Sequence, residues 1–135
     1  MFGFFSSKKP PKEELFVDGE IERMTADAPP HVQALHMILE QGLVDQATEV
    51  LMQYDRFRNE FAVYFKRNES YEEVLSPPPS LFGAIQAMLV SAGHLRLPED
   101  EGQFVFPRET GGRLRYSIAI EDEGATMALS MLGYC

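Results

Sequence analysis

Apolar positions recur most regularly after Pro29-Pro30. Val32, Leu35, Leu39, Leu43, Ala47, Val50, Leu51, Tyr54, Phe57, Phe61 and Tyr64 follow one another mostly at steps of three and four, as on one face of an α-helix. A single helix over residues 31–67 would be about 55 Å long, whereas a compact domain of this size is only about 37 Å across. The pattern therefore predicts a break. Gly42 is suited to a left-handed C-cap of a first helix, and Asp45 to capping the start of a second. Two antiparallel helices joined by a short turn are the expected outcome.

Shorter signals flank this stripe. Asp18-Gly19, set within Leu15-Phe16-Val17 and Glu20-Ile21, has the composition of a type I′ hairpin turn. Ser76-Pro77-Pro78-Pro79-Ser80 is a stop, after which Ser80 is placed to cap a third helix. That helix carries Leu81, Phe82, Ile85, Met88, Leu89 and Ala92 on its apolar face and ends at Gly93. Pro98 and the Glu99-Asp100-Glu101-Gly102 run read as a solvated loop. The period then changes from helical to twofold. Phe104-Val105-Phe106 forms a compact strand; Leu114, Tyr116, Ile118 and Ile120 alternate with polar or small residues as a half-buried strand requires. Thr110-Gly111-Gly112 supplies the turn between them. At the end, Met127, Ala128, Met131 and Leu132 return to helical spacing. The expected fold is α+β and mainly helical: a helical hairpin, a third helix, a C-terminal β-hairpin and a short closing helix.

Composition adds a boundary and a charge. Residues 1–12 hold Phe2, Phe4, Phe5, Lys8, Lys9 and Lys12, no acid, and the Pro10-Pro11 pair. They read as a flexible tail ahead of a single globular domain over 13–135. The formal net charge of the 135-residue chain is -9, so the acid excess falls on the domain. Such a body is repelled by nucleic-acid phosphates and anionic lipid and attracts basic partners. The longest apolar runs fall well short of the roughly 20 residues that span a bilayer. The N-terminus lacks a signal-peptide core, so the expected location is cytoplasmic and the Asn68-Glu69-Ser70 sequon is accidental. Cys135 is the only cysteine, which rules out an intramolecular disulfide.

Candidate chemistry is sparse. His31 and His36 are five apart rather than four, and His94 follows a helix-ending glycine, so no metal site is expected. His36 and Glu40 share a helical face, an ordinary surface pairing. No nucleophile elbow, phosphate loop or dinucleotide fingerprint occurs, and no cofactor is implied. Glu13-Glu14, Glu72-Glu73 and Glu121-Asp122-Glu123 supply paired carboxylates, but nothing local selects one as a buried general acid. Arg96, Arg108, Arg113 and Arg115 surround the predicted hairpin, with Arg113 and Arg115 on the strand face opposite the apolar one. The seven methionines suit either core filling or an adaptable binding surface.

Two partial resemblances follow. The Gly42-x4-Ala47-x3-Leu51 spacing resembles the inter-helix turn of tetratricopeptide-type hairpins, although Tyr54 stands where that pattern has a small residue. Helices followed by a β-hairpin resemble winged-helix DNA readers, but residues 81–92 contain no Lys or Arg to read bases or phosphates. The functional expectation is therefore a non-catalytic acidic module that binds a basic protein partner: an adaptor, a secretion-type chaperone or an immunity-like inhibitor. The candidate contacts are Phe2, Phe4, Phe5, Lys8 and Lys9 of the tail, together with Arg113 and Arg115. The tail is suited to a partner's groove or the edge of a membrane. Self-association into a homodimer is expected through the apolar stripe. The alternatives are a small-molecule enzyme with an unidentified carboxylate site and a winged-helix-like regulator.

Overall fold

The computed structural model describes residues 18–135. In chain order these form α1 (Pro30–Val44), β1 (Glu49–Asp55), β2 (Glu60–Arg67), β3 (Ser70–Leu75), α2 (Ser80–Gly93), β4 (Asp100–Pro107), β5 (Arg113–Glu121) and β6 (Thr126–Tyr134). The strands make one six-stranded sheet in the order β3-β2-β1-β6-β5-β4, every neighbouring pair antiparallel. Strand accounts for 41% and helix for 27% of this structure, so the fold is α+β but not mainly helical.

The first helix starts where the pattern places it, with proline in its first turn, the position at which proline's missing N–H costs nothing. It runs past Gly42 to Val44. Asp45 is its C-cap rather than the cap of a following helix, and Gln46 takes the left-handed φ of 58°. The N–H groups of Gln46 and Ala47 donate to the Leu43 and Gly42 carbonyls at 3.1 and 2.9 Å, which is Schellman closure. Gly42 has another use. A Cβ there would stand 3.3 Å from Val50 Cγ2 and 3.7 Å from the Phe65 ring, so the glycine lets the helix approach β1 and β2 closely.

The second half of the long stripe is two strands, not a helix, which removes the helical hairpin and its tetratricopeptide-like turn. Val50 and Met52 on β1, and Phe61, Val63 and Phe65 on β2, are buried at period two. Leu51 and Tyr64 lie across from each other on the far face. Because both faces carry large apolar residues, every third or fourth position is apolar by coincidence. The chain reverses between β2 and β3 at Asn68-Glu69, both at positive φ (51° and 68°), with Arg67 opposite Ser70. This is the two-residue geometry of a type I′ hairpin, so the apparent sequon is a turn.

Residues 80–93 form α2 as expected. Its N-cap is Pro79 and Ser80 makes no capping bond; the left-handed residue at its end is His94 (φ 55°). The β4–β5 hairpin is also found, with Thr110-Gly111-Gly112 in the connection, and β4 reaches back through Asp100 into the run read as loop. The expected closing helix is β6, a central strand between β1 and β5. Met, Ala and Leu favour helices in isolation, but here Met127 and Leu129 enter the core while Ala128 and Ser130 face away. Cross-strand pairing on both sides overrides that preference. The first arm of the expected Asp18-Gly19 hairpin, Leu15-Phe16-Val17, lies outside the described residues. Gly19 has a φ of 83°, and Glu20 bridges Val105 of β4 in parallel.

Both helices supply the core that covers one sheet face. His36 of α1 meets Phe106 edge-on at 5.0 Å, and Phe82 of α2 meets Phe61 edge-on at 5.2 Å. Phe104 and Tyr116 stack at 5.3 Å between β4 and β5. The buried cluster is continuous from Ile21 to Leu129.

Candidate functional site

A concavity lies at the end of the sheet where β1 turns into β2. It is a cleft of about 720 Å³, walled by the Asp55–Glu60 turn, the first turns of α2 and the 122–126 connection. Each wall has a local cause. Asp55 Oδ1 accepts the backbone N–H groups of Phe57 and Arg58 at 2.9 and 3.2 Å, an Asx turn. Asn59 adopts a φ of 54°, a conformation asparagine tolerates better than most residues. Its Oδ1 accepts the Tyr54 hydroxyl at 2.8 Å. Tyr54 in turn stacks on Phe82 at 5.5 Å, joining the turn to α2.

The floor is a left-handed turn. Asp122, Glu123 and Gly124 have φ values of 55°, 54° and 91°, and the two non-glycine residues cost roughly 1–2 kcal/mol each. Hydrogen bonds hold the segment, the Ala125 N–H donating to the Asp122 carbonyl at 3.0 Å within it. Thr126 Oγ1 donates to Asp122 Oδ2 at 2.8 Å, and Gln86 Nε2 donates to the Gly124 carbonyl at 2.7 Å. The Glu123 N–H donates to Glu99 Oε2 at 3.1 Å, and the Tyr54 N–H to the Ala125 carbonyl at 2.9 Å.

With its turn fixed in this way, Phe57 projects into solvent, 88% exposed. The Arg56 guanidinium sits 5.1 Å from the centre of its ring, and Arg58 pairs with Glu60 at 3.8 Å. Both partners of that pair are well exposed, so it contributes little to stability. The cleft thus combines an aromatic tip, two arginines and four carboxylates (Asp55, Glu60, Asp122, Glu123). Asp55 and Asp122 are occupied with turn hydrogen bonds. No histidine, serine or cysteine lines the walls. Among the described residues, no three His, Cys, Asp or Glu side chains converge to hold a metal ion.

The residues singled out from sequence fall elsewhere. Phe2, Phe4, Phe5, Lys8 and Lys9 lie outside the described residues. Arg113 and Arg115 do share the sheet face opposite the core, as expected, but at the other end of the sheet from the cleft. Arg113 Nε donates to Glu20 Oε2 at 2.8 Å, and the same carboxylate takes Arg23 at 3.2 Å. With its side chain only 4% exposed, Glu20 ties the first described residues to β5. Arg115 stands between Val105 and Gly133 in register. His36 is buried, and its Nε2–H donates to the Glu22 carbonyl at 2.8 Å. His94 caps α2 and approaches Asp18 at 3.4 Å.

Arg56, Phe57 and Arg58 were hidden in the sequence by their assignment to a helix. The available signal was Asp55 and Asn59, two turn-forming residues bracketing them between two nearly continuous apolar runs, 50–54 and 61–65. Neither a scan against protein-family models nor a search of curated proteins finds a match to this chain. No helix among the described residues is long and apolar enough to cross a membrane.

Proposed function

We propose that this chain is a non-catalytic acidic module that binds a basic protein partner, with the cleft and its aromatic tip as the contact. The observation that carries this reading is the exposure of Phe57 on an ordered turn. Leaving a large ring in water forgoes roughly 1.5–3 kcal/mol of burial. Fixing the turn's backbone with an Asx turn and a Tyr–Asn hydrogen bond lowers the ordering cost of the loop that carries the ring before any partner arrives. Exposed aromatic and arginine side chains over a cleft are the usual source of binding energy at protein interfaces. The net charge of -9 adds long-range attraction for a basic surface and speeds encounter. The reading covers an adaptor, a secretion-type chaperone or an immunity-like inhibitor, and Phe2, Phe4 and Phe5 of the tail are a second apolar contact in the same scheme.

The test is affinity capture from nuclease-treated lysate with wild type, Phe57→Ala and a chain lacking residues 1–12, each at low and high salt. One stoichiometric basic protein, lost at high salt and lost with Phe57→Ala, supports the reading. Capture that is indifferent to Phe57 removes the cleft from it, and capture indifferent to salt removes the electrostatic part. The truncated chain measures the tail's share separately.

A further inference from the structure

Both helices lie on one face of the sheet, and among the described residues no helix covers the other. On that other face, the corner formed by β4 and β5 is buried more deeply than an open face allows. Val105 alternates with Phe104 and Phe106 and stands opposite Arg115, so it points away from the core and lies outside the core cluster. Yet Val105 is 0% exposed, and Pro107, on the same side of β4, is buried too. A valine pointing outward from the outermost strand of an uncovered face would meet water along its side chain. Glu20, which bridges Val105 and pairs with Arg113 and Arg23, is only 4% exposed in its side chain.

This burial is complete within a single chain, so its cover belongs to the chain itself. The described residues begin at the same corner. The Ile21 N–H donates to the Val105 carbonyl at 3.0 Å, and the Val105 N–H donates to the Gly19 carbonyl at 2.8 Å. Just before Glu20, Gly19 takes its φ of 83° within a turn, which brings the preceding residues back beside the corner rather than away from it. We propose that Leu15-Phe16-Val17 docks on this outer corner of the sheet, as an apolar strap over Val105 and Pro107.

Length and composition both fit. Val17 to Leu15 lie three to five residues before Glu20, a reach of about 10–17 Å. From the Glu20 segment across β4 to β5 is two strand spacings, about 10 Å. The next outward positions on β5 are Ser117 and Ala119, whose short side chains leave room for an aromatic ring. Docking there takes three large apolar side chains out of water. Attachment so close to the site gives the strap an effective concentration on the order of millimolar, which a separate partner has to exceed. A second copy would also bring another net charge of -9 to the same face.

Docked in this way, Leu15-Phe16-Val17 fixes the point from which residues 1–12 leave the domain, whatever the cleft binds. It also accounts for the burial of Glu20, whose carboxylate is then closed over by the strap.

The experiment is a double-mutant cycle on the full chain in urea, between Leu15→Ser, Phe16→Ser and Val17→Ser combined and Val105→Ala. The expected result is that the serine substitutions raise the unfolding equilibrium constant, and that this rise is at least about threefold smaller when Val105 is already alanine. Serine substitutions that leave the constant unchanged, or that act independently of Val105→Ala, would overturn the strap. Nuclear Overhauser contacts in the wild type, from a mixture of isotope-labelled and unlabelled chains, keep the test decisive if a variant misfolds. Contacts from residues 15–17 to the Val105 methyls within one chain support the strap. Contacts found only between copies would make a second copy the occupant and overturn it, as would the absence of any contact.

Discussion

Phe57 and Phe61 separate the two structures that the sequence allows. On a helix, residues four apart share a face, and replacing either by alanine would cost a similar amount. In the sheet they are opposites. Phe61 is fully buried, with its ring edge-on to Phe82 at 5.2 Å, while Phe57 is 88% exposed with the Arg56 guanidinium over its ring. Phe61→Ala therefore opens a cavity beneath α2 and is expected to cost about 3–5 kcal/mol. That is a large part of the roughly 5–15 kcal/mol that holds a domain folded. For a chain of this length it corresponds to a fall in Tm of roughly 10–20 °C. Phe57→Ala is expected to stay within about 0.5 kcal/mol of wild type while losing partner capture. Urea titrations followed by circular dichroism measure both, and an unchanged m-value in each variant confirms that the same surface is exposed on unfolding. Equal destabilisation by the two substitutions would refute the strand assignment and the cleft together.

Other expectations follow from single contacts. Tyr71 donates its hydroxyl to Glu49, and that hydrogen bond pushes the phenol up from 10.0 to about 12; burial pushes Tyr116 up as well. The unfolded chain ionises these phenols first, so their contribution to stability is complete below pH 10.0 and is lost as pH rises towards about 12. Phenolate absorbance should show two late-titrating tyrosines, with Glu49→Gln bringing one of them down; all five ionising together near pH 10.0 would contradict this. Glu69→Gly should raise stability by about 1 kcal/mol, because Glu69 occupies the second left-handed position of the β2–β3 turn, where glycine is unstrained. A thermal melt no higher than wild type would argue against the type I′ geometry. Gly42→Val should cost about 1–3 kcal/mol by overpacking, since its Cβ would start 3.3 Å from Val50 Cγ2; unchanged stability in urea would mean that α1 stands further off the sheet.

What was legible in the sequence was local. Proline marked the start of α1, and proline and glycine bounded α2, because backbone geometry acts within a few residues; Gly42 did not end α1, which runs on to Val44. The alternation from Leu114 to Ile120 gave β5 and its inward face, because a strand with one wet face writes period two directly into the chain. The net charge of -9 and the uncharged run from Thr126 to Cys135 were likewise properties of the sequence alone. The misread segments are those whose surroundings lie far along the chain. Apolar residues on both faces of β1 and β2 imitate a helical stripe, and only pairing between the two strands shows that Leu51 and Tyr64 face away from Val50 and Phe65. The Met-Ala-Leu composition of β6 prefers a helix until β1, from the other half of the chain, pairs with it from Thr126 to Leu129.

The candidate sites belong to the same non-local class. The cleft, for one, joins the Asp55–Glu60 turn, Phe82 and Gln86 of α2, and the 122–126 segment. By itself the sequence determined which residues are charged, which are apolar and where the backbone can turn, since those depend on each residue and its near neighbours. The tertiary structure decided which aromatic ring is core and which is contact, because burial is a property of what the rest of the chain places beside a residue.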